Sequence, residues 1–196
     1  MSAFQHAAAF EAASPCFAIR QEHPSDVAAR EALLDAAMGP GRIRKSSETL
    51  RRDRQPARGL GFSAVAADGA LAGTVRLWDI AAGSRGNAPV PALLLGPLAV
   101  DPACHGVGVG GALMRHAVAE AANFGHGAIL LVGDPEYYRR FGFSAHATGE
   151  LTMPGPFERH RLLGLELQPG ALAGANGLIT ATGRPIGDAL ALKVAA

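Results

Sequence analysis

The segment DPACHGVGVGGALMRHA, Asp101 to Ala117, sets Gly106, Gly108 and Gly111 just ahead of a helix-like apolar pattern. The first turn of a helix has about four N–H groups with no partner inside the helix. The aligned peptide dipoles add roughly half a positive charge at the same end. The run His105, Gly106, Val107, Gly108, Val109, Gly110 and Gly111 therefore presents lightly covered amides suited to a pyrophosphate. A dinucleotide-binding reading competes, because the glycines also satisfy G-x-G-x-x-G and Asp134 stands near the place of a ribose-binding acid. Against it, DPACH separates the preceding strand-like run from Gly106, and the chain beyond Asp134 contains no good crossover helix. A Walker loop needs Gly-Lys-Ser/Thr, which the chain lacks.

Pro97 is the second clue. LLLGPLAV, Leu93 to Val100, is too apolar for a free sheet edge, yet proline removes a ladder donor and marks an edge or a bulge. A bulge here would splay this strand from the one expected at Ala128 to Val132. The gap would expose backbone donors and acceptors beside the phosphate loop, where an extended amide-bearing chain could add as a strand. Coenzyme A has that combination, a pyrophosphate joined to a two-amide pantetheine arm.

The surrounding elements can be read from pattern. Cys16 to Arg20 is predicted as a short strand, and Pro24 to Gly39 as a helix with Ser25 as N-cap and Gly39–Pro40 as stop. Arg42 to Arg58 is polar and arginine-rich, with a short helix expected around SSETLRRDR. Gly61 to Ile80 reads as a hairpin about Asp68–Gly69. Ala81 to Ala92 reads as a flexible loop. A helix to about Phe124 comes after the glycine turn, and GAILLVG is a buried strand. PEYYRRFG is one or two helical turns with Pro135 at the first position. FSAHAT and RLLGLELQP are late strands, and the tail from Ala171 is weakly specified. The order predicts a mixed α/β sheet, with antiparallel pairs flanking one strand-helix-strand crossover.

The 196 residues suit one domain spanning 1–196, with a core over about 16–172. A formal net charge of +1 demands neither nucleic acid nor an anionic membrane as partner. Cys16 and Cys104 are the only cysteines, which makes no disulfide framework and no metal-site spacing. Cys104 beside the glycine loop is read as space-filling, with a reactive thiol as the alternative. The first twenty residues make a poor signal peptide, and no window is apolar enough for a membrane span. The expectation is a cytoplasmic protein without metal.

On these residues the sequence resembles the GCN5-related N-acetyltransferase (GNAT) superfamily, and within it a bacterial subgroup of predicted small acetyltransferases. GPLAVDPACHGVGVGGALM resembles its acyl-CoA-binding segment, whose Gln/Arg-x-x-Gly-x-Gly/Ala pattern falls on His105 to Gly110. VGDPEYYRRFGFS, Val132 to Ser144, resembles the other half of the site, Tyr-x-x-x-Gly-Phe. GLGFSAVAADGALAGTVRLW and PGPFERHRLLGLELQPGAL extend the likeness to about residues 16–172. His105 departs from the pattern, where Gln or Arg is usual, and a neutral imidazole attracts a diphosphate less.

The resemblance implies a GNAT-like, mostly antiparallel sheet with a central splayed strand pair flanked by helices. It implies direct transfer of an acetyl group from acetyl-CoA to a primary amine in a ternary complex. Cofactor-binding residues would be Leu98, Ala99 and Val100 with the loop His105 to Gly111, and an N–H near Leu98 to Val100 would polarise the thioester carbonyl. Tyr138, four residues before Gly142, matches the family's general acid. No general base is evident; Glu48, Asp79, Asp134 and Glu136 are candidates. The acceptor, a small-molecule or protein amine, would meet Arg42 to Arg58, Ala81 to Ala92 and the C-terminal strands. Ser46, Glu48, Arg51 and Arg52 are candidate contacts, and Trp78 is read as core packing with a place in the acceptor lining as the alternative. A non-catalytic acyl-CoA sensor is the alternative function, and a homodimer is left open.

Overall fold

The structure is a computed structural model that describes residues 17–187. The predicted strand start at Cys16 lies outside the described residues. In chain order the elements are β1 (Phe17–Gln21), α1 (Val27–Met38), α2 (Ser46–Thr49), β2 (Gly61–Ala66), β3 (Leu71–Arg85) and β4 (Ala88–Val100). Next come α3 (Val109–Asn123), β5 (Ala128–Val132), α4 (Pro135–Arg139), β6 (Glu150–Thr152), β7 (Leu162–Glu166), β8 (Asn176–Leu178) and β9 (Thr180–Ala181). One mixed sheet runs β1-β2-β3-β4-β5-β7, with β8 and β9 on the distal half of β3 and β6 on β8. Along the main path only β4 and β5 are parallel, joined by the crossover through α3.

The apolar runs are buried on both faces. Leu93, Leu95, Ile129 and Leu131 pack with Leu113, Met114 and Ala117 of α3. Their neighbours Leu94 and Leu130 point the other way, onto Trp78, Ile80, Leu151, Leu162 and Ile179. A two-residue side-chain period with both faces covered is why these strands read as continuous apolar stretches.

Four expectations are corrected. Ala81 to Ala92 is not a loop but the far end of the β3–β4 hairpin, which turns at Gly86–Asn87. Ala81, Ala82, Val90 and Ala92 are buried there, so small side chains replaced the bulky signal of a strand. Packing also runs past residue 172. Ile179 is fully buried and the short strands β8 and β9 pair along β3. FSAHAT is not a strand: Ser144 makes a single bridge to Gly164, and His146–Thr148 is a 3-10 turn. Ser25 does not cap α1, because Pro24–Asp26 forms a 3-10 turn whose cap is His23.

That corner is closed by charge. Asp26 accepts from both guanidinium nitrogens of Arg20 (2.6 and 2.8 Å), from the His23 N–H (2.9 Å) and from the Ser63 hydroxyl (2.9 Å). Beside it Glu22 ties Arg30 of α1 to Arg76 of β3. The Arg20 hydrogen bonds hold the Asp26 carboxyl well below the usual carboxylate range, and the bonds from His23 and Ser63 add to this against the opposing cost of burial. A depressed folded-state pKa means the stabilisation is present above the unfolded value, near 3.8, and is lost as pH falls below it. Asp26→Asn should cost on the order of 2 kcal/mol at pH 7. In urea unfolding from pH 7 down to pH 3, it should also flatten the acid loss of stability seen in the wild type.

Candidate active site

The site begins at an irregularity in β4. Across the β3–β4 ladder Val75 faces Leu98 and Leu77 faces Leu95, so Gly96 and Pro97 together oppose Arg76. This is the expected bulge. The indole Nε1 of Trp78, itself buried, donates to the Gly96 carbonyl at 2.7 Å. Trp78 is therefore a core residue that pins the bulge. Beyond it β4 leaves its parallel neighbour: β5 pairs only with Leu93 and Leu94. The N–H of Asp101 donates to Ala72 on β3 (2.9 Å). Alternate backbone groups share a side, so the N–H groups of Leu98 and Val100 turn to the open edge, whereas that of Ala99 turns to β3.

The glycine loop lies at the end of that edge. Pro102–Cys104 forms a 3-10 turn capped by the Asp101 carboxylate, which accepts from the Ala103 N–H at 2.8 Å. The His105 N–H is spent on the Pro102 carbonyl (3.2 Å), so the open run is six amides, Gly106 to Gly111, rather than seven. Among the described residues those six make no hydrogen bond, and the first N–H inside α3 to do so is that of Ala112, to Gly108. Gly108 enters the helix at φ 87°, a left-handed conformation costly to a residue with a Cβ. The His105 side chain is exposed at the loop's start, and Cys104 packs against the core.

Two arginines not singled out in the sequence flank the same groove, a cavity of about 550 Å³ bordered by Gly108, Gly111, Arg115, Val118, Arg140 and Phe141. Arg115 lies four residues after Gly111, one helical turn on the same face. The Arg140 guanidinium stacks over Tyr137 (4.0 Å) and Phe141 (4.9 Å). That four-residue spacing was the available signal for Arg115; Arg140 depends on the α4 turn and had none.

Tyr138 stands on the wall of the splay. With Leu95, Gly96, Pro97, Leu98, Leu131 and Val132 it lines a cavity of about 100 Å³, closed opposite by Met38, Arg42, Lys45, Ser47 and Arg51. Asp134 caps α4 by accepting from the Glu136 N–H (3.1 Å), which sets the helix that carries the ring. A Cβ at Gly133 would overlap the Tyr138 ring, so the glycine leaves the phenol its seat. None of the four candidate bases lines this cleft. Asp134 caps, Glu136 is exposed beside Arg139, Asp79 borders another cavity with Arg58, and Glu48 pairs with Arg51. The hairpin end at Ala81 to Ala92 does not border it either, and Arg52 turns to the Ile43 carbonyl.

The arrangement can hold a pyrophosphate on six amides and two flanking cations, pair an extended chain along the Leu98–Val100 edge, and offer a phenol at the chain's end. Burial pushes the Tyr138 phenol up to about 12. In ultraviolet titration, the Tyr138→Phe difference spectrum should therefore show no phenolate from this side chain below about pH 11. Ionisation of Tyr138 near pH 10 would contradict the burial seen here.

Residues 59–145 match the acetyltransferase (GNAT) domain family. The uncharacterized N-acetyltransferase YhbS of Escherichia coli K12 is 36% identical over 90 residues, 43% of this chain and 51% of that protein. The chain thus spans about half the length of the curated relatives it matches. The crystal structure of the E. coli GNAT family N-acetyltransferase YhbS in complex with CoA matches with a TM-score of 0.72 and 27% identity. That match covers 86% of this chain and 91% of the other. A Brucella melitensis GNAT family acetyltransferase in complex with acetyl-CoA gives a TM-score of 0.56 at 27% identity, covering 80% and 91%. The bulged and splayed strand pair and the open amide loop lie within a segment similar to the GNAT acetyltransferase domain, and the whole described fold is similar to those GNAT structures.

Proposed function

We propose that the chain is an acetyl-CoA-dependent N-acetyltransferase that acts on a primary amine by direct transfer. The observation that carries this is the run of six open amides, Gly106 to Gly111, continuous with the unpaired strand edge at Leu98 and Val100. The diphosphate would lie on the loop between Arg115 and Arg140, and the pantetheine amides would pair along the edge. The thioester carbonyl would then reach the bulge, where a strand N–H stabilises the oxyanion.

In the transfer the amine nitrogen bonds to the carbonyl carbon, the tetrahedral intermediate collapses, and the C–S bond breaks. The proton that the attacking amine yields leaves the tetrahedral intermediate through water and ends on the departing sulfur, so the products are an N-acetyl amide and CoA thiol. Tyr138 hydrogen-bonds that sulfur. Full transfer from a phenol near 12 to a thiolate of a thiol near 8.5 is uphill by roughly 5 kcal/mol, so the phenol acts chiefly as a hydrogen-bond donor that stays protonated. Lys45, together with the part of the Arg51 charge that Glu48 leaves unshared, supplies positive charge at the cleft, which favours the neutral, nucleophilic form of the amine. That effect removes the need for a carboxylate to deprotonate an ammonium before attack, and water takes the proton released after it.

A second reading, an acyl-CoA sensor without turnover, is favoured by one observation, the lack of a carboxylate among the cleft-lining residues. Thiol release from acetyl-CoA with a panel of amines separates the two. The enzyme reading expects amine-dependent thiol. It also expects Tyr138→Phe to lower kcat by about 10²-fold or more where chemistry is rate-limiting, with CoA affinity by calorimetry nearly unchanged. CoA binding without amine-dependent thiol would support the sensor.

A further inference from the structure

The acceptor side of the cleft carries charge that transfer alone does not require. Its lining includes Arg42, Lys45 and Arg51 and no carboxylate. Arg42 is committed elsewhere, to Glu31 (2.6 Å) and Asp35 (2.7 Å). Arg51 is different. Its side chain is nine-tenths buried, and its Nε and Nη2 both converge on one oxygen of Glu48, at 3.2 and 2.9 Å. Nη1 has no hydrogen-bond partner among the described residues. It lies 3.7 Å from where a Cβ on Gly96 would stand, so it faces the bulge. Lys45 makes no ion pair among the described residues. It borders both this cavity and an adjoining one of about 240 Å³, where Arg161 is paired with Glu158 at 3.6 Å and Lys45 is the remaining cation.

A guanidinium half-neutralised by one carboxylate oxygen, with its remaining edge turned into a small cavity, is arranged to receive a second anion. Leaving that edge unpaired when substrate displaces water would be costly. A plain alkylamine would bring only another cation to this wall. We infer that the acceptor is a small primary amine that itself carries a carboxylate, as free amino acids do. The carboxylate binds Arg51 Nη1 and Lys45, and the amine is thereby aimed at the bulge beside Leu98. Fixing the carboxylate orients the nucleophile, and pairing it with these cations offsets its own pull toward the ammonium form of the amine.

This inference rests on the transferase reading, and the test separates the two. Thiol release from acetyl-CoA is measured with free amino acids, the matching amino-acid amides, the matching decarboxylated amines, and C-terminally amidated peptides with a free N-terminus. The free amino acids should exceed their amides and decarboxylated counterparts by roughly ten- to a hundredfold in kcat/KM. Arg51→Gln made together with Glu48→Gln, so that no lone carboxylate is left buried, should erase that ratio. Lys45→Ala, at a more exposed site, should reduce it. In each variant the loss should appear mainly in KM for the amino acid, with acetyl-CoA affinity by calorimetry retained. Equal rates for amino acids and amides, or faster reaction of amidated peptides, would overturn the carboxylate assignment while leaving the transferase reading intact. Absence of amine-dependent thiol across the whole panel would overturn both.

Discussion

The hydrogen bond from the Trp78 indole to the Gly96 carbonyl is the contact on which the site is built. It fixes a two-residue bulge in a strand that pairs with β3 on both sides of it, with a second irregularity farther out between Ala81 and Ser84. Pro97 supplies no N–H to any neighbour, and past this point β4 and β5 no longer pair. A buried parallel pair that separates must find other partners for its backbone groups, because unpaired polar groups are costly away from water. The opening is bounded on one side by the strand edge and on the other by Tyr138 and the cationic segment around Arg51. Closing the ladder would remove the cleft, and with it the strand edge, the seat of the phenol and the wall that carries Arg51.

Two stretches of the groove are suited to anions, by two different means. At the glycine loop the attraction comes from open amides and the start of a fifteen-residue helix, with Arg115 and Arg140 at the flank. In the cleft it comes from side chains, one of them a buried guanidinium whose pKa desolvation lowers, partly offset by Glu48. Tyr138, between the two, is kept neutral by burial. A phenol that does not ionise keeps its hydrogen available for donation, which is what the proposed transfer requires of it.

Much of this was legible in the chain because it rests on backbone constraints that single residues impose. Pro97 in an apolar run required a bulge, and the glycines after Asp101 marked an open helix start; Tyr138 was set apart from its neighbour by resemblance to the Tyr-x-x-x-Gly-Phe pattern, not by a backbone constraint. Other features had weaker signals. Alanine and glycine at Ala81 to Ala92 hide a strand, since burial there is achieved by small side chains against β8 and β9. The strands after Ala171 are two or three residues long and owe their place to the vacant edge of β3 rather than to their own pattern. Arg51 was named as a candidate acceptor contact, but nothing in the basic stretch set it apart from Arg52. Its burial and its unshared nitrogen depend on where α2 sits against the bulge, which is a tertiary fact.

A crystal structure of the protein with bound CoA is the decisive measurement. The diphosphate oxygens should lie within hydrogen-bond reach of the amides of Gly106 to Gly111, and the pantetheine amides in register with the backbone of Leu98 and Val100. The thiol should end between the Gly96–Pro97 bulge and the Tyr138 hydroxyl. CoA seated elsewhere, or on the loop with its arm turned away from the open strand edge, would contradict the proposed role of the splayed strand pair.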